Sequence, residues 1–379
     1  MSNLGAVLVA VKGFAAPETG QVFSRSRELW AQLGSPSEFL HVPWGQLTYY
    51  MGRGEFDLAQ RLAEELLRLS RQRNDSAGLV LGHVSSGRNL MFTGKFASSR
   101  SHLEKVLALY DPISHRSFAQ EAVIHTHVLS QAYLGIVLFC LGFPDQGLAH
   151  SRAAIAETRR LAHPPSLALI LAFGVILLSF VRDNAALDQL VDELVAVATD
   201  QGFPFYRALG TIYRGWVKVK NGDVTEGLSL LHRGSSAHRA TGTELWAPYH
   251  IALLARACKI TGQTEESLTL LDDALQIVER TGERLLKAEL YRHKGRLLLQ
   301  QGHSGAAEEL YRKALSIAEE QDAKLWELRA AMSLARLRRD QGRRAEARSL
   351  LAPVYGWFTE GFDTADLKEA KALLDELRA

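Results

Sequence analysis

Cysteine is almost missing from this chain. Cys140 and Cys258 are the only two in 379 residues. They lie too far apart for a disulfide framework, and such low usage fits a reducing, cytoplasmic compartment. Proline is sparse as well, with ten residues; on a background of helix formers this argues against long disordered stretches. An excess of one charge is also lacking. The formal net charge is +2, too mild to imply a nucleic-acid partner by itself. The most apolar run, Pro165–Val181, is about seventeen residues, at the short end for a membrane span. It falls where the repeat described below requires a helix, so it reads as a buried inner helix and no membrane association is expected. Met1–Val11 has no basic region ahead of its apolar run and does not read as a signal peptide.

Chemical machinery is equally scarce. Gly94-Lys95 is followed by Phe96 and lacks the upstream glycine of a phosphate loop. Serine, histidine and aspartate are plentiful, but none forms a nucleophile elbow. His125 and His127 stand two apart, so on a helix they point to different faces and cannot readily chelate one ion. The expectation is a protein that is not an enzyme, with no cofactor and no metal.

What is present is a period. Gly222, Gly262, Gly302 and Gly342 are forty residues apart, and Gly202, Gly242, Gly282 and Asp322 run halfway between them. A turn about every twenty residues leaves room for one helix of roughly four turns between turns. Taking Gly262 as a turn inside a hairpin predicts helices over Leu245–Lys259 and Glu265–Arg280. The second carries Leu268, Leu271, Ala274, Leu275 and Val278 on one face. Seven residues before successive turns the side chain is small (Gly215, Ala255, Gly295, Ala335), which lets paired helices approach closely. Large residues sit near the start of each first helix (Tyr206, Trp246, Leu286, Trp326).

The frame extends upstream through Gly54, Gly94 and Gly142, with an insertion near 110–118 where Asp111-Pro112 breaks the periodicity. The turn at Arg182-Asp183-Asn184 has no glycine. The reading is all-α: a right-handed superhelical solenoid of about eight hairpins in a forty-residue version of the tetratricopeptide pattern. Residues 1–34 form a truncated N-terminal hairpin, 35–362 the repeats and 363–379 a C-terminal capping helix. Gly13 is in register as a turn, so Leu4, Val7, Leu8, Val9 and Val11 would lack a preceding hairpin to cover them. The chain is expected to have once continued upstream or to self-associate there.

Several segments carry a family likeness: Lys12-Gly13-Phe14-Ala15-Ala16-Pro17-Glu18, Tyr110-Asp111-Pro112 with His115-Arg116, Gln201-Gly202-Phe203-Pro204-Phe205, Gly215-Trp216, Glu279-Arg280-Thr281-Gly282-Glu283 and Glu289-Leu290-Tyr291-Arg292. In order and spacing they resemble the helical-repeat region that follows the ATPase domain in bacterial multidomain adenylate/guanylate cyclase-like proteins and related ATPase regulators. The resemblance implies a sensory or partner-binding role, with a cyclase or ATPase as partner. It carries over no catalytic residue.

First-helix positions facing the groove divide by chemistry. Early ones are apolar or aromatic: Trp44, Met51, Met91, Phe92, Phe139, Ile176 and Phe180, with Arg88 among them. Trp216 and Lys220 mark the change-over. Late ones are basic around Tyr249: Arg256, Lys259, Arg292, Arg296, Arg329, Arg336 and Arg339. Forked guanidinium groups recognise carboxylates or phosphates; a solvated face of helix-stabilising charge pairs is the plainer alternative. The basic stretch is short and lacks a nucleic-acid motif, which argues against nucleic acid. The leading expectation is an interaction scaffold or regulatory module of a bacterial signalling system, binding an acidic peptide or partner domain. A small-ligand sensor and an enzyme with a cryptic site are the alternatives.

Overall fold

Each turn glycine has a physical reason. Gly54, Gly94, Gly142, Gly222, Gly262, Gly302 and Gly342 all have φ between 71° and 95°, a region where a Cβ is strained. The computed structural model describes residues 8–9, 13–36, 39–111 and 125–378. Among these every regular element is a helix.

Helix α1 (Pro17–Gln32) precedes eight hairpins. They pair α2 (His41–Gly52) with α3 (Phe56–Arg73), α4 (Ser76–Phe92) with α5 (Phe96–Leu109), and α6 (Thr126–Cys140) with α7 (Pro144–Leu161). Next come α8 (Pro164–Val181) with α9 (Asn184–Asp200), α10 (Pro204–Lys220) with α11 (Val224–Ala240), and α12 (Ala247–Ile260) with α13 (Thr264–Thr281). Last are α14 (Lys287–Gln300) with α15 (Ser304–Glu320) and α16 (Lys324–Asp340) with α17 (Arg344–Gly356); α18 (Ala365–Glu376) follows. Where glycine is missing, Arg182 itself takes the left-handed conformation (φ 66°) and the Asp183 side chain caps α9 by accepting from Ala186 N.

Small residues bring the paired helices together as the spacing requires. A Cβ added at Gly215 would meet Gly227 O at 2.8 Å, and one at Gly227 would meet Gly215 O at 2.7 Å. Backbone therefore lies against backbone between α10 and α11. Helix α8 is, among the described residues, the one helix long and apolar enough to cross a membrane, and 72% of that stretch is buried in the fold. It is the inner helix of the fourth hairpin. Cys140 and Cys258 are free and buried.

The superhelix closes on itself. The Gly52 carbonyl at the end of α2 accepts from Glu244 N (2.8 Å), and the Phe92 carbonyl at the end of α4 accepts from Arg284 N (2.7 Å) and Leu285 N (3.1 Å). The third hairpin is tied to the chain's end: Gly361 N donates to Asp145, and Asp145 N donates to Glu360. Early turns thus rest on the segments that open later hairpins.

This closure covers the early positions expected to face the groove. Trp44, Met51, Met91, Phe92, Phe139, Ile176 and Phe180 are all buried. Trp246 and Trp326, which the spacing suggests as local knobs, fill the bore instead. Trp246 packs on Phe92 (5.0 Å between ring centroids) and Trp326 on Phe139 (5.8 Å) and Phe180 (5.5 Å). The physical reason is the hydrophobic effect: a bore lined by this many aromatic faces gains more by collapsing than by holding water. The N-terminal turn also rests on later repeats, since Gly242 lies against the Ala15 carbonyl. Leu8 and Val9 are half-buried. Leu4, Val7 and Val11 lie outside the described residues, as does most of the insertion near 110–118.

The closing seam buries a carboxyl. Glu283 is 3% exposed, accepts from Trp246 N at 3.2 Å, and is pushed up to about 8 by burial, with the charge of Glu244 adding to the shift. The folded chain therefore holds this proton more tightly than the unfolded one. The stability so gained is present below the ordinary carboxyl range and is lost as pH rises toward 8. Glu283→Gln should remove this loss, raising the melting temperature at pH 8.5 relative to wild type while changing little at pH 4.5. Equal shifts at both pH values would contradict the assignment.

Candidate functional site

The forty-residue period places Arg256, Arg296 and Arg336 at equivalent positions on the inner helices α12, α14 and α16. All three reach one concavity beyond the aromatic plug. It consists of two adjoining cavities of about 120 Å³ and 220 Å³, and Arg256, His293 and Arg296 line both. The first is closed by Arg182 from the end of α8 and by Asp366 and Glu369 from α18. The second reaches Trp216, Lys220 and Lys259.

Three carboxylates serve this concavity, and each is already engaged. Glu289 accepts two hydrogen bonds from Arg292 (2.6 and 2.9 Å) and one from Arg329 (3.1 Å). Asp366 accepts a forked pair from Arg329 (2.9 and 2.7 Å); Arg182 lies 3.0 Å away without hydrogen-bond alignment. Glu369 pairs with Arg182 (2.9 Å) and Arg336 (3.4 Å). Burial pushes the Glu289 carboxyl up, but the two guanidinium groups outweigh it and hold the group well below the usual range.

The remaining cations have no such partner. Among the described residues no carboxylate lies within ion-pair distance of Lys220, Arg256, Lys259 or Arg296. Arg256 lies over the Trp216 ring at 4.3 Å and Lys220 at 6.0 Å, contacts that partly replace lost hydration. Burial lowers Arg256 to about 10, and Arg292 and Arg329 push it the same way. Lys259 is lowered to about 8 by burial and by Arg296, Arg256 and Arg292. His293 is held well below its ordinary value by burial and Arg292, so it is neutral near pH 7. Each cation thus makes its neighbours harder to charge, and an incoming anion would relieve all of them at once.

The residues expected at this site separate into groups. Arg256, Lys259, Arg296, Lys220 and Trp216 come together at the open side. Arg292 and Arg336 line the cleft but are paired. Arg329 is consumed by buried ion pairs and also donates to the Phe180 carbonyl at 2.5 Å. Tyr249 belongs to the plug and is no free anchor: it is buried, and its hydroxyl meets Ser179 at 2.5 Å. Arg339 departs from the expected concavity, because Glu376 and Asp340 draw it to the outer edge of α18. Arg182, His293, Asp366 and Glu369 were not expected here. His125 and His127 do not converge: one packs on the His163 ring and the other on Tyr110.

The sequence matches tetratricopeptide repeat models over residues 248–320 and 328–353. The Rap protein complexed with competence and sporulation factor superposes with a TM-score of 0.57 at 12% identity, covering 90% of this chain and 98% of that one. The apo quorum sensor NprR from B. thuringiensis gives 0.51 at 12% identity, over 93% and 97%. Cut9–Hcn1 of the APC/C gives 0.54 at 10% identity, over 94% of this chain and 59% of that one. An uncharacterized protein of Rhizobium meliloti (strain 1021) is 22% identical over 342 residues, 89% of this chain; the chain matches 33% of that protein's length. The fold is a tetratricopeptide-like solenoid.

Proposed function

We propose that the cationic cleft holds an acidic segment of a protein or peptide partner, and that the chain works as a regulatory binding module of a bacterial signalling system. Repeats of this type make interaction scaffolds. The observation that supports an acidic ligand is the set of four cations without counter-ions, clustered in one half-buried concavity. Each carboxylate of an incoming segment would do there what Glu369 does at Arg336, one repeat further on. The family likeness of the sequence motifs adds a cyclase or ATPase as the regulated partner. Solenoids of the same fold include one solved with a bound factor and one described as a quorum sensor, which is consistent with ligand-controlled binding.

The reading is tested by titrating the protein with a fluorescein-labelled tetraglutamate peptide and its glutamine counterpart, followed by anisotropy. Glutamate binding should be tighter and should weaken with salt, because the contacts are partly exposed. It should also weaken from pH 7 to pH 9. Lys259, lowered to about 8, is charged at pH 7 and loses its proton over that interval, so affinity is carried by the protonated form. Lys259→Met should bind less tightly at pH 7 and show a flatter profile. Equal binding of the two peptides would overturn the reading.

A further inference from the structure

A second chamber lies in the bore on the far side of Trp246. It has a volume of about 70 Å³ and is walled by inner helices of the first five hairpins, including Leu129, Ala172, Phe173 and Leu209. Its lining is almost entirely apolar, with one charge: Arg88 of α4.

That charge is anomalous. Arg88 is 4% exposed, and its Nε and Nη1 atoms are buried with no hydrogen-bond partner. No carboxylate reaches it within ion-pair distance among the described residues. Its guanidinium lies over the Trp44 ring at 4.6 Å and near the Tyr133 ring at 5.6 Å. These faces offer partial compensation for lost hydration, and the Tyr133 hydroxyl is a hydrogen-bond partner, but Nε and Nη1 are left without an acceptor. A second orphan lines the same chamber: the Thr48 hydroxyl is buried without a partner. A buried guanidinium with two unpaired nitrogens is costly, and a carboxylate is the group whose two oxygens match its fork.

We propose that this chamber binds a short aliphatic monocarboxylate, its carboxylate accepting from Arg88 and from the Thr48 hydroxyl and its alkyl group packed among Leu129, Phe173 and Leu209; at about 70 Å³ the chamber is under half the roughly 150 Å³ that holds a benzene ring. This site is separate from the cationic cleft, and neither reading depends on the other. A phosphate ester fits less well, because a second negative charge would have no cation to meet it here. Trp246 lines the chamber and meets Tyr249 edge-on at 6.3 Å between ring centroids, so it forms the floor of this site and belongs to the plug facing the cleft.

Three ligands of similar size test the proposal on the intact chain: propionate, 1-propanol and propylammonium, titrated by tryptophan fluorescence and by thermal shift. Trp44 and Trp246 line the chamber and supply the signal. Propionate should bind at least tenfold more tightly than the alcohol and should raise the melting temperature, and propylammonium should not bind. Arg88→Met should lose at least tenfold of the propionate affinity, whereas Arg256→Glu with Arg296→Glu should keep it. Equal binding of propionate and the alcohol, no thermal shift, or loss of propionate binding in the cleft variant with retention in Arg88→Met would each overturn the proposal. The ligand series and the cleft variant decide the matter even if Arg88→Met does not fold.

Discussion

Arg329→Met should be the most destabilising single substitution in the cleft, and it should loosen α18. The Arg329 side chain is 10% exposed and its partners Glu289 and Asp366 are 7% and 2% exposed. Burial disfavours its charge, but Asp366 and Glu289 outweigh that and hold the guanidinium firmly protonated. Without it, Asp366 keeps only Arg182, which is not aligned for a hydrogen bond. Removing one member of a buried ion pair costs about 3–5 kcal/mol. For a chain of this size that is a fall in melting temperature on the order of 5–10 °C. Asp366→Asn placed on top of Arg329→Met should recover part of the loss, because the orphaned charge is gone. The pH dependence has a definite sign. Glu289 has a depressed folded pKa, so its contribution is present above the ordinary carboxyl range and is lost as pH falls through the folded value. The stability gap between wild type and Arg329→Met should therefore narrow in acid. An unchanged melting temperature at neutral pH would contradict this account of the network.

Arg256→Glu combined with Arg296→Glu should abolish binding of the acidic peptide, by 100-fold or more, about 2.7 kcal/mol. The two arginines are the informative pair because neither is committed to a carboxylate. Arg292 and Arg336 are poorer probes, since reversing them also orphans Glu289 or Glu369. Each exposed charge contact contributes about 1 kcal/mol or less, but reversal replaces attraction by repulsion at two positions facing the same ligand. Helicity should be retained. Melting temperature should hold or rise, because the double variant relieves crowding among Arg256, Lys259, Arg292 and Arg296. A variant that unfolds would instead show these side chains to be structural, and one that binds normally would end the cleft reading; circular dichroism and anisotropy together separate the two.

The local fold was legible because its signals are local. A positive φ selects glycine at Gly222 or Gly262 whatever surrounds it, and close packing selects Gly215 within its own hairpin. The cationic cleft was partly legible for a related reason: Arg256, Arg296 and Arg336 share one repeat position. What could not be read depends on which distant segments meet. Trp246 and Trp326 have the spacing of hairpin knobs, yet they plug a bore whose other wall is Phe92, Phe139 and Phe180. Asp366 and Glu369 look like the polar face of an end helix, and nothing near them in sequence announces Arg182 or Arg329. The same blindness hides the chamber at Arg88, which looks basic in sequence and is isolated only in three dimensions.

The seam bonds from Gly52 to Glu244 and from Phe92 to Arg284 set this chain apart in how it should come undone. In a solenoid whose repeats touch only their neighbours, stability is a sum of adjacent terms, and the ends can melt alone. Here the second and fourth helices and the third hairpin are ratified by segments made much later, so the early hairpins lack part of their burial until the late ones exist. Unfolding becomes closer to a single event than a fraying. Contacts between segments so remote also raise the contact order, which slows folding relative to a repeat array of equal length. During synthesis the first half would wait, with its aromatic bore uncovered, for Trp246 and Trp326 to arrive.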